Sequence, residues 1–427
     1  MNSSPMSLNK STLIPKRFTF VSGTFLLSVL LYVDRVCISA AQPDVVADLG
    51  LTDTQMGWVL SVFALGYALF QTPSGILADK YGPRRILTAV VTFWSIFTAL
   101  TGLAFNYVTM LVCRFLFGVG EAGAFPGMAR AVYSWIPMKE RGLVTGINFS
   151  GSRLGAAFAL PVVAWMITTI GWRLSFGVLG AIGVVWALLW YFWFRDDPSE
   201  HTGMSEKELA YILENRQQPS ASKQKLSPGL LFSSKNMWLA MGQYFASNFT
   251  FFFTLTWLFP HIKAEYNLGT VEAAFYASAP LIAGAFGNWF SGWLVDRIYS
   301  RGQWKLSRTL PAILGFTLAA GGLLGSVYST EVGGAIFFLS IAIFGADMTL
   351  SPSWSFCVDI GRENAGAVSG TMNMAGNIGS FITALAFPYL QVWTDSTTPF
   401  FYIGAALNVL AIFAWMAMQP EKNLEEF

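Results

Sequence analysis

Twelve windows of this chain are long and apolar enough to cross a bilayer, and that repetition limits the fold more than any other feature. A spanning helix requires roughly 20 mostly apolar residues. Such windows fall at residues 18–40, 55–77, 86–104, 107–130, 143–167, 172–194, 236–260, 273–295, 307–327, 332–356, 366–391 and 398–418. They are numbered spans 1 to 12 below. A water-soluble core could not absorb them all, because only 12% of the 427 residues are charged, against about 25% in an ordinary soluble domain. The expectation is an all-α integral membrane protein with twelve transmembrane helices. Gly and Pro recur inside the spans, as membrane helices tolerate. The first run, Phe18 to Val33, exceeds the ~7–15-residue apolar core of a secretory signal. It is therefore read as a retained helix, although Ser39-Ala40-Ala41 faintly resembles a cleavage site.

Orientation follows from Lys and Arg, which concentrate in cytoplasmic loops. With the N-terminus inside, 21 of the 26 basic residues lie on the cytoplasmic side. Only Arg173 and Lys263 lie outside, and Arg35, Arg114 and Arg153 fall within spans. Both termini are thus expected in the cytoplasm. The chain divides into a tail (1–17), a six-helix bundle (18–194), a polar cytoplasmic linker (195–235), a second six-helix bundle (236–418) and a tail (419–427). Within the linker, SEKELAYILE predicts a short amphipathic helix. Ser205 and Glu208 would form its capping box, and Leu209, Ile212 and Leu213 its apolar stripe.

Several function classes are disfavoured. A formal charge of +2 and the lack of a basic tail give no reason to expect a nucleic-acid partner. Cys37, Cys113 and Cys357 lie in apolar runs without metal or disulfide spacing, and His201 and His261 are far apart. No metal site or nucleophile–base pair is apparent, so an enzyme is not expected. A membrane sensor would need a docking segment, for which only 195–235 could serve.

The two bundles echo each other. Gly75, Leu77, Asp79 and Lys80, after span 2, match Gly292, Leu294, Asp296 and Arg297, after span 8. Gly142, Val144, Gly146 and Gly155 of span 5 match Gly366, Val368, Gly370 and Gly379 of span 11. Two parallel six-helix repeats place a substrate site near the midplane between them. The pattern Gly75, Leu77, Asp79, Lys80, Gly82, Arg84, Arg85 resembles the signature of the major facilitator superfamily. Asp34-Arg35 in span 1, RFLFGVGEAGAFPG in span 4 and KERG before span 5 narrow the resemblance to the anion:cation symporters, which include bacterial sugar-acid/proton symporters. It covers about residues 18–418 and implies the major facilitator fold.

Five ionisable residues lie deep in the first bundle: Asp34, Arg35, Arg114, Glu121 and Arg153. Each would cost roughly 2.5–3.5 kcal/mol at a helix centre on insertion scales, so they must face one another or a wet cavity. Arg114 and Glu121, two turns apart, share a helix face, and Gly118 and Gly120 beside them allow a close neighbour. Asp34 and Arg35 point about 100° apart. Asp34 is therefore expected to approach Arg114, Arg35 to face the substrate, and Arg35 and Arg114 together to bind its carboxylate. Three cations against two acids leave a positive surplus in this half, which a bound organic anion would balance through bidentate guanidinium–carboxylate contacts.

A buried carboxylate takes a proton readily once its cationic partner is drawn away. Glu121, the deeper acid, is the first candidate proton carrier and Asp34 the second. The resemblance implies proton symport of a small organic anion by alternating access, with no cofactor. Na+ coupling, exchange and efflux stay open. It also implies a monomer in the lipid bilayer of a bacterial inner (plasma) membrane, a substrate-facing role for Tyr67, and a gating latch at the loop motifs Asp79, Lys80, Arg84, Asp296 and Arg297. Ser152 stands where sugar-acid carriers can have glutamine. With Arg153 beside it, this departure points to an aldarate, with its second acidic group, or to a hexuronate. In the second bundle Asn373 and Asn377, with Thr371 nearby, could read hydroxyls or join helices. Asn248 and Trp257 are weaker candidates, and Asp347 has no assigned role.

Overall fold

The computed structural model describes residues 14–217 and 228–422. Residues 1–13, 218–227 and 423–427, within the two expected tails and the linker, lie outside the described residues.

Every expected span is helical. Span 1 is Lys16–Ala40, span 2 Asp53–Tyr81 and span 3 Pro83–Thr101. Span 4 runs as Tyr107–Glu121 and Ala124–Trp135. Spans 5 and 6 share Arg141–Trp193, divided where Gly171 takes a φ of 79°, a conformation that only glycine adopts freely. Span 7 is Lys235–Thr256, span 8 Thr270–Tyr299 and span 9 Trp304–Val327. Span 10 runs as Val332–Met348 and Leu350–Gly361, span 11 is Ala365–Thr394 and span 12 Thr398–Ala417. Short helices Gln42–Leu49 and Leu258–Glu265 follow spans 1 and 7, extending the repeat beyond the matched motifs.

Spans 1 and 5 pack together, as do 7 and 11; spans 3 and 9 pack against the outer sides of their own bundles. Lipid-facing residues need no polar partner, so outer helices carry apolar side chains outward. Leu174, Val178, Val185, Leu189 and Phe192 of span 6 are all exposed at helical spacing.

The two most extensive crossings between the halves are span 2 with span 11 and span 5 with span 8. The repeated glycines make them possible. A Cβ on Gly292 would meet the Gly142 carbonyl at 2.7 Å, and one on Gly366 would meet the Gly75 carbonyl at 2.6 Å. Small residues allow such backbone contact between membrane helices. The echoed motifs therefore pack against each other across the pseudo-symmetric interface.

Spans 4 and 10 break at related places. Pro126 and Pro352 each lack the N–H that would bond the carbonyl four residues earlier, on Ala122 and Met348 respectively. The freed Met348 carbonyl accepts from the Ser291 hydroxyl of span 8 at 2.5 Å, as membrane interiors require. Glu121 ends the first part of span 4, and Asp347 falls in the last turn of the first part of span 10.

The linker helix forms at Glu206–Asn215, with Ser205 Oγ accepting from the Glu208 amide at 3.3 Å. The expected capping box is only half made. Glu208 instead accepts from the amides of Lys16 and Arg17 at 2.8 and 2.9 Å, capping the first turn of span 1. Ile212 is fully buried, so the linker helix is packed onto the bundle.

Candidate functional site

Between the halves lies a polar cavity. Tyr32, Arg35, Tyr67, Phe125, Phe149 and Arg153 line it from the first bundle; Tyr244, Asn248, Phe251, Asp347, Asn373 and Asn377 are among those lining it from the second. Its floor, toward the end carrying both described chain ends, is aromatic. Phe125 and Phe149 stack with centroids 5.0 Å apart, and both rings contact Trp354 of the other half, at 5.6 and 5.3 Å. The Trp354 indole donates to the Tyr244 hydroxyl at 2.9 Å, fixing that phenol at the wall.

Arg35 reaches the cavity from span 1, and its Nε donates to Glu121 Oε2 at 2.6 Å. Its guanidinium lies 4.4 Å from the Tyr67 ring centre and 5.0 Å from that of Tyr32. These rings give the cation a preformed seat. Glu121 is fully buried, and its Oε1 has no hydrogen-bond partner among the described residues. Close packing fixes this arrangement: a Cβ on Gly118 would strike the Phe63 carbonyl of span 2, and one on Gly120 would lie 2.9 Å from Trp94 of span 3.

Asp34 and Arg35 do diverge, but the expected Asp34–Arg114 ion pair is not formed. Asp34 is buried beside Trp94, with Arg114 and Glu121 as its charged neighbours. Arg114 is drawn onto the faces of Phe117 and Phe63, at 4.7 and 5.2 Å. It lies behind the cavity wall and does not line the cavity.

The larger correction concerns charge. Arg153 grips Asp347 of span 10 with two hydrogen bonds, Nε to Oδ2 at 2.8 Å and Nη2 to Oδ1 at 2.6 Å. Both side chains are buried. The positive surplus counted within the first half is cancelled by this acid from the second. The sequence alone assigns Asp347 no role; the pairing with Arg153 supplies one. One signal could have found it: Asp347 precedes Pro352 by the same five positions that separate Glu121 from Pro126.

Other candidates divide cleanly. Tyr67, Arg153, Asn373 and Asn377 line the cavity, and Asn377 donates to the Asn373 carbonyl at 2.8 Å. Asn248 lines it too. Ser152 is fully buried and does not line it, its helix position lying about 100° round from that of Arg153. Trp257 lies outside the cavity; its indole donates to the Ala384 carbonyl at 3.1 Å, and its ring stacks on Phe387. Thr371 pairs with Thr72 across the halves at 3.1 Å.

The end bearing the chain ends is closed by two matching locks. Asp79 accepts from the amides of Gly366 and Ala367 at 2.9 and 2.7 Å, at the start of span 11. Asp296 accepts from those of Gly142 and Leu143 at 2.8 and 2.7 Å, at the start of span 5. Carboxylates are favoured at helix N-termini. Lys80 and Arg297 are instead exposed on the outside of this end. Arg84 turns to its own half, where its amide donates to Asp196 and its Nε to the Tyr191 carbonyl. The basic residue near Asp79 is Arg130, at 3.8 Å. A buried cluster adds to the closure: Asp359 takes Arg141 at 2.7 Å, Arg308 at 2.8 Å and, through its carbonyl, Gln217 of the linker at 2.8 Å.

Residues 24–384 match the Major Facilitator Superfamily. The chain belongs to that family. It is 35% identical over 402 residues to the probable sulfoacetate transporter SauU of Cupriavidus necator, covering 93% of each chain. It is 32% identical over 422 residues to the probable galactarate/D-glucarate transporter GarP of Escherichia coli K12, covering 94% of this chain and 93% of that one. The proton:xylose symporter XylE, solved with 6-bromo-6-deoxy-D-glucose, superposes with a TM-score of 0.76 at 15% identity, covering 96% of this chain and 98% of that one. The protein is a membrane transporter with the major facilitator fold, and not an enzyme.

Proposed function

We propose that this transporter imports a small organic anion, a sugar acid of the aldonate, hexuronate or aldarate class, together with a proton. The observation that carries the reading is the Arg35–Glu121 pair at the cavity wall. A substrate carboxylate arriving at Arg35 competes with Glu121 for one guanidinium. Glu121 then loses its cation in a dry site, where a neutral acid is far cheaper to hold than a free carboxylate. Substrate binding and proton uptake are thereby linked, and the incoming anion travels with a compensating proton. Asp34, the second buried acid of this cluster, tunes the same exchange and is the alternative proton carrier. Tyr67, Asn373 and Asn377 offer hydroxyl and amide groups to the sugar chain. The cargo named for SauU and GarP is anionic, which supports the substrate class.

Asp79 and Asp296 act as the gate. Their helix-capping bonds break when the closed end opens, and alternating access is the exchange between that state and the present one. The concentration of Lys and Arg in loops at the closed end supports a cytoplasmic location for both termini. The protein acts as a monomer in the inner (plasma) membrane of a bacterium, with H+ as its coupling ion and no cofactor.

The test is uptake by purified protein in liposomes, across aldonates, uronates, aldarates and inorganic phosphate, with a pH or Na+ gradient imposed separately. Accumulation of a sugar acid driven by the pH gradient is the expected result. Accumulation driven by Na+ alone, or exchange without accumulation, would overturn the coupling assignment.

A further inference from the structure

The cavity holds a second arginine that the coupling reading does not use. Arg153 comes from span 5 and its acid, Asp347, from span 10, so this pair bridges the two halves that must move apart. The Arg153 guanidinium also lies 3.6 Å from the Phe251 ring centre, another contact across the halves. Two parallel hydrogen bonds from a guanidinium to a carboxylate are the geometry that a substrate carboxylate would adopt. Asp347 thus occupies the place of a ligand's acidic group.

From this geometry we infer that Asp347 is an internal stand-in for a second acidic group on the substrate, which makes Arg153 the determinant of selectivity for two-ended dianions. This rests on the organic-anion reading above. A dianion places one acidic group at Arg35 and the other at Arg153, displacing Asp347. Asn288 of span 8 is positioned to keep the displaced acid, since its Nδ2 already donates to Asp347 Oδ2 at 3.2 Å. The halves are then held together by the substrate rather than by the protein's own ion pair. A monoacid satisfies Arg35 but leaves the Arg153–Asp347 bridge in place. Carboxylate and sulfonate ends are equivalent in this respect, because both present paired oxygens to the guanidinium fork.

The experiment measures affinities for galactarate and galactonate, which differ by one acidic group, on purified full-length protein. Each affinity is expressed as a ratio within one preparation, so a partly unfolded sample does not alter it. Wild type should prefer galactarate by tenfold or more. Arg153→Gln should reduce that preference below threefold, with Arg153→Lys between the two. Asp347→Asn removes the internal competitor and should raise the preference above wild type. Equal wild-type affinities, an unchanged ratio in Arg153→Gln, or a ratio in Asp347→Asn at or below that of wild type would each overturn the inference. If wild type binds both acids equally and the pH gradient still drives uptake, this inference falls and the organic-anion reading stands. If it binds neither, nor any other sugar acid, both fall.

Discussion

Arg35 and Arg153 line the same cavity, yet the acids they hold belong to different moving bodies. Arg35 pairs with Glu121 inside the first bundle, so that contact can survive any rocking of one half against the other. Arg153 pairs with Asp347 across the interface, so that contact reports on the rocking itself. The acids occupy related places, each just before a proline-linked break in its span. A shared backbone device therefore presents a carboxylate from each half, and the position of the arginine decides its role. A within-half pair suits proton coupling. A cross-half pair suits control of the conformational change. The locks at the closed end offer a control for this comparison, because there the symmetry is kept: each aspartate caps the opposite half with two amides.

The largest expected effect is on the within-half pair. Glu121→Gln should abolish accumulation driven by a pH gradient, bringing the inside-to-outside substrate ratio to about one, while exchange of labelled for unlabelled substrate continues. Accumulation that persists would remove Glu121 from the coupling path and leave Asp34. Next, Arg35→Ala removes a buried charged hydrogen-bond partner, a loss of about 2–5 kcal/mol. Substrate affinity should fall about 30-fold or more at 1.4 kcal/mol per factor of ten; equilibrium binding to the purified protein checks it.

The locks should behave alike. Asp79→Asn and Asp296→Asn each remove a charge from a helix N-terminus, worth up to about 2 kcal/mol in partly buried sites. Both should increase the labelling of cysteines introduced at the closed end, by similar amounts. A large difference between them would show that the closure is one-sided despite its geometry. A smaller effect is expected at the linker. Glu208→Ala uncaps span 1 and should lower stability by about 1 kcal/mol, read as a lower melting temperature in detergent. Smallest of all, Trp257→Phe loses one hydrogen bond, about 1 kcal/mol, and should change substrate affinity less than twofold. A larger change in binding would return Trp257 to the site.

Much of this architecture was legible because it is written locally. The twelve apolar windows, the glycine echoes and the Asp79 and Asp296 motifs each occupy short stretches, and the structure packs the echoed stretches against each other. Arg35, Tyr67, Asn373 and Asn377 reach the cavity as anticipated, because helical spacing alone sets which direction a side chain leaves its helix. Ser152 and Trp257 were misplaced for the complementary reason: an apolar helix shows little difference between a face packed on protein and one turned to a cavity. Lys80, Arg84 and Arg297 belong to the signature pattern, but at a helix end exposed to solvent a long cation can serve its own half or none.

The error over Arg114 and the surplus charge is more instructive. Counting charges within one half assumed that each buried arginine would be neutralised by its own bundle or by a ligand. Arg153 and Asp347 are 194 residues apart, and nothing in either window names the other. A buried charge requires a partner, a constraint that acts at any sequence distance. Span number, topology and the presence of buried charge follow from the cost of placing polar groups in hydrocarbon, which each segment meets on its own. Which charge meets which depends on how two bundles dock, and docking sums contacts over the whole interface. That is why the chain announces a membrane transporter window by window, while the partner of Arg153 becomes visible only once the two halves are in place.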